Sequence, residues 1–252
     1  LKGLTEVIGM TVVDPIRDDQ GWAFHNGPGH SLDTTNGFHF LSEAYRATDP
    51  NYHGRVTVPV LWDTVTKRIV TNSDDDLMRI FNGEFNRFTT SRLDLYPAAL
   101  RPQIDEMNDF VYERVNDGVY RAGFATSQQV YERAARSVFV ALDQLDTRLR
   151  DRRYLFGAQF VESDWRLFVT LLRFDAVYHG HFKCNLWRIV DYPHLYGYLR
   201  DLYQVKGIAE TVDFDHIKRH YYVTHDDINP TRIVPIGPQL DLESPHGRDT
   251  LS

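Results

Sequence analysis

Gly54-Arg-Val-Thr-Val-Pro-Val-Leu-Trp-Asp63 (GRVTVPVLWD) decides how the rest of the chain is read. Val56 to Trp62 is apolar and β-branched enough for a strand, yet Pro59 sits inside it. Proline has no N–H for a sheet ladder, so it marks an edge, a bulge or a special task. Thr64-Val-Thr-Lys67 then connects to a second strand, Arg68 to Thr71, and the pair reads as a β-hairpin. Asn72-Ser73 before Asp74-Asp75-Asp76 is a helix start with a capping residue and an acidic first turn, and that helix runs to about Phe85. Upstream, Phe38 to Tyr45 reads as a short helix and residues 17–37 as a long loop holding Trp22 and Phe24. Glu6 to Val13 reads as a β-rich run stopped by Asp14-Pro15, and Leu1 to Leu4 as a helix tail closed by Gly3.

The pattern changes after residue 91. Leu100, Ile104, Met107, Val111 and Val115 recur at helical spacing. Thr126-Ser-Gln-Gln129 has capping-box form and opens a helix with the stripe Val130, Ala134, Val138, Leu142, Leu145 and Leu149. Asp164 to Tyr178 is apolar on most sides, as a central bundle helix is. Two shorter helices follow, through Leu195 to Tyr203 and Phe214 to Tyr222. The chain is irregular from about residue 226, and the tail from Glu243 reads as disordered. These patterns divide the chain into an α/β domain, residues 1–86, and an all-helical domain, residues 87–252.

A net charge of −7 argues against non-specific nucleic-acid binding, and no apolar run reaches the length of a membrane span. The single cysteine, Cys184, excludes an internal disulfide and fits a reducing, cytoplasmic setting. It lies beside Phe182, where a free thiol is an inert core residue more often than a nucleophile.

The order of elements, with Val-Pro in the hairpin, resembles the glutathione transferase superfamily. The runs Val12-Val-Asp-Pro15, Gly21-Trp22 with Phe24, Gly54 to Asp63, Asn116 to Ala125, Arg173 to Tyr178, Gly180 to Asn185 and Asp215 to Tyr222 resemble the Xi-class, omega-like glutathionyl-hydroquinone reductases. The resemblance implies a thioredoxin-like N-terminal domain, incomplete at its start, joined to an all-α glutathione-transferase domain, and a homodimer. It also implies an enzyme that removes glutathione from glutathionyl-hydroquinones and releases hydroquinone and glutathione disulfide. The family's nucleophilic cysteine lies in a Cys-Pro-Trp motif, which is expected upstream of Leu1.

Residue by residue, the resemblance places the thiol seat at Trp22, Arg55, Val58, Pro59, Ser73 and Asp74. A cis Val58–Pro59 bond would present the Val58 backbone to an extended thiol peptide. Tyr120 and Tyr221 are nominated for the quinol conjugate, as hydroxyl donors and as aromatic walls. The family usually has Glu-Ser where Ser73-Asp74 stands, so another low-molecular-weight thiol is an alternative to glutathione as co-substrate. It also has an arginine where Val223 stands. His216, His220 and His225 have ligand-like spacing, but Lys218 and Arg219 oppose a cation, and no metal is expected. The central helix carries Val161-Glu-Ser-Asp164 in place of a Ser/Thr-x-x-Asp box, so its capping hydroxyl is missing. Two other readings stay open: a non-catalytic thiol- or ligand-binding protein, and a transferase that conjugates glutathione to electrophiles.

Overall fold

The computed structural model describes residues 1–252. Its principal elements are α1 (Leu41–Thr48), β1 (Leu61–Asp63), β2 (Arg68–Thr71), α2 (Asp74–Gly83), α3 (Arg101–Val111), α4 (Asp117–Gly123), α5 (Gln128–Arg148), α6 (Glu162–Arg173), α7 (Pro193–Tyr203) and α8 (Phe214–Thr224). The chain divides into two compact units: Leu1–Asp94 with Asp215–Thr224, and Leu95–Phe214 with His225–Ser252. Nearly all of α8 therefore packs with the first unit although it follows the helical region in sequence.

In the first unit, β1 and β2 pair antiparallel with Leu61 opposite Thr71, Trp62 opposite Ile69 and Asp63 opposite Arg68. The strand predicted over Val56 to Trp62 is shorter, because pairing begins only at Leu61. Pro59 has no N–H to pair, and the Thr57 N–H and C=O are both held by a side chain. Asp63 closes the hairpin, its carboxylate accepting from the Val65 N–H at 2.8 Å and the Thr66 hydroxyl at 2.7 Å. Thr48 Oγ1 accepts from the Ile69 N–H at 2.8 Å, which ties β2 to α1.

The helix predicted over Phe38 to Tyr45 starts later, at Leu41, because Glu43 accepts from the His39 and Phe40 N–H groups, each at 2.8 Å, and holds them outside it. Glu6 to Val13 forms no strand. The N–H groups of Val7 and Ile8 turn back to Leu4 O, and Met10 is almost fully exposed. Leu1 to Leu4 is not helical, although Gly3 has φ +66°. Leu41, Ala44 and Tyr45 form the core of this unit, with Trp22, Phe24, Phe38, Tyr52, Val56, Val60, Trp62 and Ile69 packed around them.

The second unit is a helical bundle. The stripe from Leu100 to Val115 does not stay in one helix: α3 ends at Val111, and a π turn over Tyr112–Asn116 leads into α4. One extra residue in a turn shifts the apolar face without breaking the helix, which 3.6-residue spacing does not reveal. Ile104, Val111, Val115 and Val119 are nevertheless fully buried. Ser127 caps α5, accepting from the Val130 N–H at 3.4 Å, and the buried stripe begins a turn later than expected, since Val130 is exposed.

At the start of α6, neither Ser163 nor Glu162 replaces the missing hydroxyl. Ser163 donates to Asn108 Oδ1 at 2.7 Å, while Glu162 accepts from Asn108 Nδ2 and Arg166. Asp164 supplies the surviving half of the box: Oδ2 accepts from the Val161 N–H at 2.7 Å, and Oδ1 from the Leu155 N–H at 2.9 Å and the Tyr198 hydroxyl at 2.7 Å.

The expectation of a disordered tail is overturned. Leu242 and Arg248 are buried, and the Arg248 guanidinium donates to the carbonyls of Leu149, Arg152, Arg153 and His194. Gly197 makes the approach possible, because a Cβ there would lie 3.0 Å from His246 O. Composition measures apolar content and misses a buried arginine held by four backbone carbonyls.

Asp164→Ala leaves the buried Leu155 and Val161 N–H groups without acceptors and the Tyr198 hydroxyl with only Asp164 O at 3.4 Å. We expect a loss of about 3 kcal/mol or more in a denaturant titration, against about 1 kcal/mol for an ordinary lost cap.

Candidate functional site

In the first unit the residues that precede Val58-Pro59 and Ser73-Asp74 share one side chain that sequence reading overlooked. Tyr45, on α1, is buried, and its hydroxyl donates to Thr57 O at 2.9 Å. The same oxygen accepts from the Thr57 N–H at 3.3 Å and from Asn72 Nδ2 at 3.1 Å. Asn72 also donates to Thr57 Oγ1 at 3.0 Å. One phenol thus fixes the residue before Val58-Pro59 and the residue before Ser73-Asp74. The Val58–Pro59 peptide bond is cis. Val58 is 40% exposed, and its N–H and C=O enter no hydrogen bond of the fold. They are therefore open to an extended partner.

Ser73 is the N-cap of α2, its Oγ accepting from the Asp76 N–H at 3.2 Å. Asp74, Asp75 and Asp76 follow in the first turn, where the helix dipole favours acidic groups. Asp76 accepts from the Thr71 hydroxyl at 3.0 Å. Arg55 is exposed, and its carbonyl accepts from the Tyr52 hydroxyl at 2.7 Å.

Trp22 packs on the Leu41–Ala44–Tyr45 core, and its ring stacks on His220 at 5.1 Å. His220 Nδ1 donates to Pro15 O at 2.8 Å, since a carbonyl can only accept. His220 is thus tied to the Trp22 loop. Tyr221, next along α8, is buried.

In the second unit, Tyr120 is 37% exposed. It stands among Phe124, Tyr178 and Phe182, with ring centroids 5.3 to 6.4 Å away. Phe124 and Phe182 also pack against His225, which lies 3.2 Å from His181 across their ring nitrogens. This aromatic cluster suits a flat ring better than one tyrosine does. Its members come from α4, the chain after α6 and the chain after α8, so no single run of sequence shows it.

Cys184 is fully buried, its Sγ 4.0 Å from Phe182 O, and burial pushes its thiol up to about 12. Almost none of it is thiolate at neutral pH, so it is no nucleophile.

The geometry is that of a glutathione transferase-type protein: an α/β unit with an unpaired backbone edge at Val58 and a helical unit. The description "Glutathione S-transferase, C-terminal domain" matches residues 128–201. The glutathionyl-hydroquinone reductase YqjG of Escherichia coli K12 is 51% identical over 250 residues, which cover 99% of this chain and 76% of that one. Its glutathione-bound structure superposes with a TM-score of 0.97, at 50% identity, covering 99% of this chain and 81% of that chain. The glutathionyl-hydroquinone reductase PcpF of Sphingobium chlorophenolicum is 48% identical, covering 96% of this chain and 77% of that one. A Xi-class glutathione transferase from Natrialba magadii gives a TM-score of 0.97 at 49% identity, over 100% and 77% of the two chains. The chain belongs to the glutathionyl-hydroquinone reductase family, the Xi class of glutathione transferases, and its first unit is thioredoxin-like.

Two measurements check this description. Tyr45→Phe removes the donor to Thr57 O and is expected to weaken glutathione binding several-fold in calorimetry while costing about 1 kcal/mol of stability. Cys184 is expected to resist a disulfide reagent in the native protein at pH 8 and to react on denaturation.

Proposed function

We propose that the protein is a glutathione-dependent reductase that removes glutathione from glutathionyl-hydroquinones. The observation that carries the reading is the unpaired Val58 backbone, held between Arg55 and the Ser73-Asp74 helix start by Tyr45. An extended thiol peptide pairs with that backbone through its cysteinyl unit. Its γ-glutamyl end meets the N-terminus of α2, where N–H groups receive the carboxylate and Asp74 attracts the amino group. Arg55 faces the remaining carboxylate, and Trp22 walls the thiol. Glutathione is the co-substrate, and Ser73-Asp74 tunes its seating.

In the reaction a thiolate attacks the sulfur of the conjugate. The carbon–sulfur bond breaks, the ring carbon takes a proton, and a mixed disulfide with glutathione remains. A second glutathione attacks that disulfide, giving glutathione disulfide and restoring the thiolate. Tyr120 hydrogen-bonds a quinol oxygen and stabilises oxyanion character as the ring departs. The attacking thiolate is not Cys184, which burial keeps protonated. That same burial favours a second reading, a thiol-binding protein without turnover. A cytoplasmic location and a homodimer belong to the proposal, the first supported by the single reduced cysteine.

Protein expressed from its natural gene is expected to reduce a glutathionyl-hydroquinone and to leave chlorodinitrobenzene unconjugated. Cys184→Ala should keep that activity. Tyr120→Phe should lower kcat by roughly 100-fold with glutathione affinity unchanged. Glutathione binding without turnover would establish the second reading, and conjugation alone would establish a conventional transferase.

A further inference from the structure

Asp14, His25 and His30 bring one ligand atom each to within 4.8 Å of one another. We propose that they form a binding site for a divalent first-row metal ion of the zinc type, which clamps the loop that carries Trp22 and Phe24.

The three side chains are arranged as ligands are, because each has another atom engaged with the backbone. Asp14 Oδ1 accepts from the Ile16 N–H at 2.7 Å, which leaves Oδ2 to point at His25. His30 Nδ1 lies 2.7 Å from His25 O. A carbonyl only accepts, so the proton is on Nδ1 and the lone pair on Nε2, the arrangement typical of a ligating histidine. Asn26 O lies 3.5 Å from His25 Nδ1, the nitrogen that takes the proton when Nε2 binds an ion.

The local sequence builds this geometry. Gly27-Pro28-Gly29-His30 makes a tight turn, with Gly27 bridged to His30 and Gly29 at φ +77°. The turn lays the His30 ring against Gly27, where any Cβ would stand 2.2 Å from Nε2. Glycine therefore leaves that atom room. On the other side, the Asp14 N–H donates to Ala23 O at 2.9 Å, and the Ser31 N–H donates to Val12 O at 3.1 Å. Both ends of the loop thus reach the site.

Asp14 and His30 are buried, whereas the His25 side chain is 54% exposed. Two fixed ligands and one movable ligand at the solvent edge leave a water as the fourth. His25 Nε2 and Asp14 Oδ2 are 2.7 Å apart and share a proton. Two ligands of a tetrahedral zinc stand about 3.3 Å apart, so the His25–Asp14 pair opens and the more distant ligand atom draws in when the ion replaces that proton. Two imidazoles and one carboxylate favour zinc, cobalt or nickel over magnesium or calcium.

The test uses the full chain stripped with EDTA and titrated with zinc chloride. One equivalent is expected to bind and to raise the unfolding midpoint, and cobalt is expected to give the visible bands of a four-coordinate site. His25→Gln and His30→Gln should weaken zinc binding by more than the roughly 10- to 100-fold that loss of an outer partner costs. His39→Gln, an exposed histidine beyond the loop, should leave it unchanged. Asp14 also holds Ile16, so the exposed His25 is the variant that separates ligand loss from misfolding. Absence of saturable one-to-one binding, or equal binding by both the His25 and His30 variants, would overturn the proposal.

Discussion

One hydroxyl group organises the first unit. The chain from Arg55 to Val60 cannot be held by a sheet ladder, because Pro59 has no N–H. Tyr45 replaces the ladder with a side chain. Its hydroxyl uses its single donor on Thr57 O and both acceptor positions on Thr57 N and Asn72 Nδ2, so its hydrogen-bonding capacity is filled. Burial of the ring in the α1 core makes that oxygen a fixed point. The consequence is a backbone at Val58 that is held in place and yet unpaired. A strand in a sheet is held by the groups a ligand needs, whereas here the holding and the presenting are done by different residues.

The same hydroxyl sets the distance from that backbone to the helix start at Ser73. The first turn of α2 carries three aspartates, which the dipole stabilises but which also oppose an incoming carboxylate. Asp76 is drawn to the Thr71 hydroxyl. On the proposed reading, the zwitterionic γ-glutamyl end resolves the conflict: its amino group meets an aspartate while its carboxylate meets N–H groups. A ligand with a carboxylate alone gains much less, so selectivity for an amino acid end follows from charge placement.

The hairpin turn, the Ser73 cap and the helical stripes were legible in the sequence, because each depends on neighbours within a few residues. The strand length was not, since it depended on which backbone groups Tyr45 removed from pairing. Nor were the π turn at Tyr112–Asn116 and the ordered tail, where tertiary donors and acceptors outweigh local pattern. Motifs nominated Trp22, Arg55, Val58 and Ser73, but gave no sign of Tyr45, which holds Thr57 and Asn72 beside two of them. A tyrosine on the apolar face of a short helix looks like packing, and only its oxygen partners, 12 and 27 residues away, show the second role. The aromatic neighbours of Tyr120 were hidden for a similar reason, being spread over three parts of the chain.

The helical unit explains why its only thiol cannot share in the chemistry. Phe182 is shared by two environments: one side meets Tyr120 and Phe124, and its carbonyl lies beside Cys184. The aromatic packing that makes a wall for a flat ring also excludes water from the sulfur, and desolvation disfavours the thiolate that a nucleophile must be. Lowering that pKa would require a cation or solvent beside Cys184, and either would open the cluster that supports Tyr120. The aromatic wall and a reactive thiol are therefore incompatible at this place in the bundle. Cys184 is instead one of the residues that keeps the aromatic wall dry.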